Sequence, residues 1–238
     1  MAKPPYRHVI WDWNGTLLDD LDLSIDVMNG LLGRRRLPRL DRTRYHALFD
    51  FPVQHYYERL GFDPAVDRFE RLSAEFISAY DARRFDCALH GGVTELLTSV
   101  AQAGLGQSIL SAYRGETLRE VVAHFGLAAH FTHVDGLDNI HARSKAALGH
   151  ALVARLGLPP RELLLVGDTL HDFDVAQELG VDCILVSAGH HPAERLRRVT
   201  ARVHPDLHAL AAEMNLTTDP ALRSKPRAVP PRAVAESG

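Results

Sequence analysis

Residues 6–20 read YRHVIWDWNGTLLDD. Tyr6 to Trp11 hold a short apolar run of the kind that forms a buried strand. Asp12 falls where that strand ends. Asn14 and Gly15 supply a turn, since both tolerate positive φ and glycine has no Cβ to clash. Thr16 follows, and Leu17, Leu18 and Leu21 resume at helical spacing. A strand-end carboxylate, a glycine turn and a helix start together build a phosphate site. The turn's N–H groups and a helix N-terminus favour an anion, and the carboxylate can hold a hard cation or act as a nucleophile. The same pattern is also an ordinary structural junction, so the rest of the chain decides.

Outward from this stretch, Leu17, Leu21, Ile25, Met28 and Leu32 predict an amphipathic helix over 17–32, with Gly33 as its stop. The run Arg34-Arg35-Arg36 could meet an anion but reads first as a solvated loop. Further helices are expected through residue 85. Asp41 can cap one, Pro52 suits the first position of the next, and Gly61 ends it. Asp63-Pro64 opens a longer one with Val66, Phe69, Leu72, Phe76, Ile77 and Tyr80 on one face. The aromatic residues here read as packing. Residues 21–87 thus form an all-helical block.

From Leu89 on, helix and strand alternate. Strands are expected at Gln107–Leu110 (ending at Ser111), Phe131–Val134, Leu163–Val166 (ending in Gly167-Asp168) and Cys183–Val186. Helices lie between them, one of them over 143–156. Alternation of this kind implies parallel βαβ units with right-handed crossovers. Ligands of such sheets bind beyond the carboxyl ends of the strands, where Asp12, Ser111 and Asp168 should converge. The block 21–87 leaves the sheet after Asp12 and returns before the second strand, so it is placed as a lid. The expected fold is α/β: a Rossmann-like doubly wound parallel core of residues 1–20 and 88–216 with an inserted helical cap of 21–87. The Pro-, Ala- and Arg-rich tail 217–238 is read as disordered.

Composition narrows the function. Lys+Arg 27 against Asp+Glu 30 leaves a charge of −3, which argues against a nucleic-acid or anionic-membrane surface. No apolar run is long enough to span a membrane. Met1–His8 lacks the apolar region of a signal peptide, so the cytoplasm is the expected compartment. Two cysteines make no disulfide framework, and Cys183, inside an apolar run, reads as a core thiol. No histidine pair has an HExxH-type metal spacing. Nothing in the sequence sets an oligomeric state.

Four signals stand in order: Asp12-Trp13-Asn14-Gly15-Thr16, Ser111, Lys145 at a helix start, and Gly167-Asp168-Thr169-Leu170-His171-Asp172. Over about residues 1–215 the chain resembles the haloacid dehalogenase-like hydrolase superfamily. It is most similar to the α-helical cap subclass and its phosphoglycolate phosphatase-like members. The resemblance implies a Mg²⁺-dependent hydrolysis of a small phosphomonoester, of the phosphoglycolate or sugar-phosphate kind. Asp12 would attack phosphorus and form an aspartyl-phosphate. Asp12, Asp168, Asp172 and the Asn14 main-chain carbonyl would hold the metal. Gly15, Thr16, Ser111, Ala112 and Lys145 would bind the phosphoryl group, Lys145 also offsetting its charge against the nucleophile.

One residue departs from the family pattern. Asn14 stands where phosphatases of this kind carry an aspartate that serves as general acid and then base. An amide hydrogen-bonds but does not exchange a proton at neutral pH, and acid–base catalysis is typically worth about 10²–10⁴-fold. Asn14 therefore implies slow turnover or an activated leaving group, or a proton carried by His171, His190 or His191. It also admits a different function: a regulatory protein that binds phosphorylated ligands without turning them over. Phosphonate cleavage needs a Schiff-base lysine in the cap, and residues 21–87 contain no lysine. The acidic pair Asp168/Asp172 argues against metal-free dehalogenation.

Overall fold

The computed structural model describes residues 6–137 and 144–216 of the 238-residue chain. The tail expected to be disordered, 217–238, lies outside the described residues. Strands β1 (His8–Trp11), β4 (Gly106–Arg114), β5 (His133–Leu137), β6 (Leu163–Gly167), β7 (Asp182–Val186) and β8 (Val203–His204) form one sheet in the order β5-β4-β1-β6-β7-β8. Every pairing in it is parallel. This is the expected Rossmann-like α/β architecture.

The two-residue period of a strand explains the core. Val9, Trp11, Ile109, Leu164, Val166, Ile184 and Val186 face one side of the sheet. Ile10, Leu110, Leu163, Leu165, Cys183 and Leu185 face the other. Helices α5 (Val93–Gln102), α6 (Gly115–His124) and α10 (Leu207–Glu213) cover the first side. Helices α7 (Lys145–Leu156), α8 (Leu170–Leu179) and α9 (Ala193–Leu196) cover the second. Each fully buried Leu, Ile or Val is worth roughly 1.5–3 kcal/mol relative to exposure. The central strands therefore register tightly, because a one-residue slip would exchange the two faces.

Helices α1 (Leu21–Arg34), α2 (Arg42–Leu48), α3 (Val53–Leu60) and α4 (Phe69–Asp81) occupy residues 21–81. They enclose a separate apolar cluster that includes Met28, Leu31, Tyr56, Leu60, Leu72 and Tyr80. At the root of this block β2 (Leu18–Asp19) pairs antiparallel with β3 (Ala88–Leu89).

Several expected elements shift. The helix read from residue 17 begins at Leu21, because Leu17 and Leu18 are buried in the sheet cluster and Leu18 pairs with Leu89. Tertiary burial outweighs the local period there. That helix runs past Gly33 to Arg34, and the turn comes at Arg36, φ 55°. Arg35 is no solvated loop residue. Its guanidinium bonds Asp67 at 2.6 Å and Glu75 at 3.0 Å. Asp41 does cap α2, accepting from the Arg44 N–H at 2.7 Å. Pro52 is the N-cap of α3 rather than its first residue, and α4 starts at Phe69, not Asp63. The Asp63 carboxylate accepts from the Ala65 N–H and closes a local turn instead, which leaves Val66 exposed. Strand β4 runs on through Ser111 to Arg114, β5 starts at His133, and the edge strand β8 has no counterpart in the sequence reading.

Candidate active site

Strands β1 and β6 lie side by side, Trp11 opposite Val166, so the residues that follow them emerge together. Asp12 and Asp168 are those residues. Asp172 joins them from the first turn of α8, where Thr169 and Asp172 form a capping box. Its Oδ2 accepts from the Asp168 and Thr169 N–H groups and, at 2.6 Å, from the Thr169 hydroxyl. Carboxylate oxygens of Asp12, Asp168 and Asp172 all lie within 4.8 Å of one another, and all three residues are buried. Lys145 opens α7 under a Ser144 cap and is itself buried. Its Nζ donates to Asp12 Oδ1 and to Asp172 Oδ1, each at 2.5 Å.

Three buried carboxylates thus face one ammonium. Burial, and behind it the neighbouring carboxylates, push Asp12 and Asp168 up. Burial disfavours the charged form of Lys145 too, but Asp12 and Asp172 outweigh it and hold the lysine protonated. The remaining negative charge and the all-oxygen donor set suit a hard dication such as Mg²⁺.

A second polar cluster stands beside the first. The Asn14 amide donates to Asp20 Oδ2 at 3.0 Å and to the Tyr80 hydroxyl at 2.8 Å, and that hydroxyl donates to Asp20 Oδ2 at 2.7 Å. His190 Nε2 lies 3.3 Å from Asp20 Oδ1, and its Nδ1 lies 2.9 Å from the Tyr45 hydroxyl. Burial opposes both charges. The His190 charge, with bonds from His190, Tyr80 and Asn14, nevertheless lowers Asp20 to about 2. Asp20 in turn raises His190 to about 9. The His190 N–H also donates to Asp168 Oδ2 at 2.6 Å, which ties the two clusters together.

Residues 9–186 match the haloacid dehalogenase-like hydrolase family. The chain belongs to that family. A 5'-nucleotidase of Pseudomonas aeruginosa is 28% identical over 200 residues, covering 81% of this chain and 87% of its own. Tyrosine-protein kinase PtkA of Mycobacterium tuberculosis is 26% identical over 198 residues, which are 82% of this chain and 67% of that protein. Among solved structures, a predicted phosphatase from Clostridium acetobutylicum superposes with a TM-score of 0.77 at 18% identity, covering 88% of this chain and 98% of that one. The resemblance read from the four sequence motifs therefore holds, and phosphatases are prominent among the relatives of this haloacid dehalogenase-like hydrolase.

The expected site residues of this family member do not all face the same way. Asp12, Asn14, Ser111, Ala112, Lys145, Asp168 and Asp172 line one cavity of about 420 Å³. Gly15 and Thr16 lie behind it. The Gly15 N–H, expected to greet an anion, donates to Asp20 Oδ1 at 2.8 Å and to the Leu18 carbonyl at 2.9 Å. The Thr16 hydroxyl donates to Asp168 Oδ1 at 3.1 Å, so it orients a carboxylate. No helix N-terminus follows the turn, because β2 takes that place. Gly15 has φ +75°, and a Cβ there would meet Asp168 and, at 2.6 Å, the His190 ring. The glycine is required by the turn and by the crowding around Asp168.

Of the histidines named from sequence, His171 lines the cavity and stacks on Phe51, ring centres 4.7 Å apart. His191 Nδ1 accepts from the Leu170 N–H and lies outside the cavity lining. His190 is held protonated by Asp20. Sequence reasoning missed Asp20, Tyr45 and Tyr80. Asp20 falls inside the helix expected from residue 17, and the aromatic residues of the block read as packing.

Proposed function

We propose that the protein is a Mg²⁺-dependent phosphomonoesterase that works on a small phosphorylated metabolite through an aspartyl-phosphate at Asp12. One observation carries the reading: a lysine bonded to two of three clustered, buried carboxylates, two of which follow the ends of adjacent parallel strands and the third of which sits in the first turn of α8. Asp12, Asp168, Asp172 and the Asn14 main-chain carbonyl would hold Mg²⁺, whose charge would offset that of the phosphoryl oxygens. Asp12, with one oxygen fixed by Lys145, would attack phosphorus in line with the leaving oxygen. The bond to the leaving oxygen breaks, and water then cleaves the acyl-phosphate to regenerate the carboxylate. Ser111 would donate its hydroxyl to a phosphoryl oxygen, and Lys145 would keep nucleophile and phosphate from repelling one another. Residues 21–87 would act as a cap over this floor, contributing Tyr45 and Tyr80.

The test is a panel of phosphate esters and acetyl phosphate, assayed with and without Mg²⁺, with Asp12→Ala as control. Metal-dependent phosphate release that vanishes in Asp12→Ala is the expected result. Equal release by both proteins overturns the reading. Asn14 favours a second reading, binding without turnover, since both N–H groups of its amide are engaged by Asp20 and Tyr80. Repeated turnovers through a phosphorylated Asp12 would remove it.

A further inference from the structure

The cavity above Asp12 differs in character from its floor. Its outer wall is formed largely by aromatic side chains from the helical block, among them Phe49, Phe51, Phe69 and Phe76, joined by Tyr113 from β4. These five rings are only half-buried; Phe49, Phe51 and Phe76 each stack one face on a neighbour, Tyr45, His171 and Tyr80, which leaves part of each ring to the cavity. Among the described residues lining the cavity, Lys145 is the sole lysine or arginine. Its Nζ is already engaged by Asp12 and Asp172. The other held cation, His190, is answered by Asp20. Among the described residues, therefore, the wall offers no free positive charge to a second anionic group such as a carboxylate or a further phosphate. A volume of about 420 Å³ is within the range of small-molecule sites and admits a ring system as well as the phosphoryl group.

We propose that this cavity selects phosphate esters of aromatic alcohols, whose leaving group is an uncharged ring bearing a phenolic oxygen. The proposal rests on the phosphatase reading and names its substrate class. Two independent features converge on it: the aromatic wall, whose described residues carry no free cation, and the amide at position 14. Asn14 supplies no proton to a departing oxygen. A phenol, like the tyrosine side chain, has a pKa of about 10, whereas hydroxide, the nearest model for an aliphatic alkoxide, is the base of an acid of pKa about 15.7. A phenolate leaves without a general acid, and an alkoxide does so poorly.

The step balances without one. An Asp12 oxygen forms the bond to phosphorus while the phosphorus–oxygen bond to the ring breaks, its electron pair leaving on the phenolate. Water next attacks phosphorus, the bond to the Asp12 oxygen breaks, and inorganic phosphate forms. The proton lost by that water matches the one the phenolate takes up in solvent. Phosphoglycolate, the substrate suggested by the resemblance, fits neither feature. Its carboxylate finds no free cation among the described residues of the wall, and its leaving oxygen is aliphatic.

The experiment uses the full chain with Mg²⁺ and five probes: phenyl phosphate, 1-naphthyl phosphate, benzyl phosphate, phosphoglycolate and acetyl phosphate. The expected kcat/KM for the two aryl esters exceeds that for phosphoglycolate by at least about 100-fold, the lower end of what a general acid contributes. Benzyl phosphate keeps the ring but leaves as an alkoxide. Its KM should match that of phenyl phosphate while its kcat falls by about 100-fold. Phe76→Ala should raise KM for 1-naphthyl phosphate about tenfold and that for acetyl phosphate less, since acetyl phosphate carries no ring.

Asp12-dependent turnover of acetyl phosphate with no advantage of aryl esters over phosphoglycolate overturns the aromatic class and leaves the phosphatase standing. An equal rise of both KM values in Phe76→Ala also overturns it, because the preference would then reflect leaving-group reactivity alone. No turnover of any probe, with no phosphate on Asp12, removes both readings.

Discussion

The two polar clusters of the site are built from similar groups and stand in opposite electrical states. Around Asp12, three buried carboxylates share one lysine, so negative charge is left over. Around Asp20, one carboxylate meets one imidazolium, and an amide and a phenol saturate the rest. A buried charge without a partner is costly, and a paired, hydrogen-bonded one is tolerated. The first cluster is thus arranged to acquire something positive, and the second is already complete. On the proposed function, chemistry belongs to the incomplete cluster, and the complete one fixes the shape around it. Position 14 sits on the border, and its amide faces the complete side.

The largest expected effect follows from that assignment. Asp12→Asn should lower kcat by at least about 10⁴-fold, on the scale seen when a nucleophile is removed, and EDTA should do the same to the wild type. Phosphate release from a phenyl ester or from acetyl phosphate measures both. If Asp20→Asn proves as damaging to kcat as Asp12→Asn, with the fold intact by circular dichroism, the division between chemical and structural cluster is wrong.

The completed cluster should answer in stability. His190→Gln leaves the buried Asp20 without its cation, and breaking such a pair costs about 3–5 kcal/mol. The loss should depend on pH. The folded protein holds His190 protonated up to about 9, while the unfolded chain releases that proton near 6.5. The pair's contribution is therefore complete below about pH 6.5 and disappears as pH rises through 9. Asp20, lowered to about 2, adds a second loss as pH falls below the ordinary aspartate value. Urea midpoints measured with Mg²⁺ between pH 6 and 9 should converge for wild type and His190→Gln at the alkaline end. Parallel curves would mean that His190 is uncharged in the folded protein.

The incomplete cluster should show the reverse behaviour, gaining stability from what it binds. Mg²⁺ at 100 times its dissociation constant stabilises a protein that binds it only when folded by about 2.7 kcal/mol. The thermal midpoint should therefore rise with Mg²⁺, and Asp168→Asn should abolish most of the rise. Asp20→Asn should retain it. A rise that survives Asp168→Asn would place the metal elsewhere.

The incomplete cluster was legible in the sequence and the complete one was not, for a physical reason. Asp12, Lys145, Asp168 and Asp172 are each marked by a local junction: a strand end, a capped helix start, a capping turn. Such junctions are written in adjacent residues. Asp20, Tyr45, Tyr80 and His190 meet across 60 to 170 positions, and nothing near any of them announces the others. The same limit explains the misplaced helix start. Leu17 and Leu18 continue into Leu21 at helical spacing, yet Leu17 lies in the turn and only the distant partner Leu89 makes Leu18 a strand residue. The open face of the aromatic wall was hidden likewise, since a ring lining a cavity and a ring in a core have the same sequence periodicity.

The smallest expected effect tests the border residue. A carboxylate restored at position 14 would be the family's usual acid, and from sequence alone Asn14→Asp promises faster cleavage of poor leaving groups. The structure adds a cost. The new carboxylate would stand where the amide now donates, about 3.0 Å from Asp20 Oδ2, and would replace a donor with an acceptor. A lost hydrogen bond with a buried partner costs roughly 1–3 kcal/mol. Two adjacent carboxylates would also compete for one proton, which raises one of their pKa values. Asn14→Asp should therefore lower the urea midpoint at pH 8 more than at pH 5, because the shared proton relieves the repulsion at low pH. Adding Asp20→Asn should remove the pH dependence of that loss, since an amide then faces the acid from the other side, while the midpoint falls further because buried His190 loses its carboxylate. With that pair exchanged, the acid at position 14 is free to protonate an alkoxide, and benzyl phosphate should gain more in kcat than phenyl phosphate does. An equal gain for both esters would show that the exchange acts without supplying a proton. A single Asn14→Asp variant as stable as the wild type at pH 8 would show that Asp20 and residue 14 do not sense each other's charge. The two clusters would then be separable at this position as well.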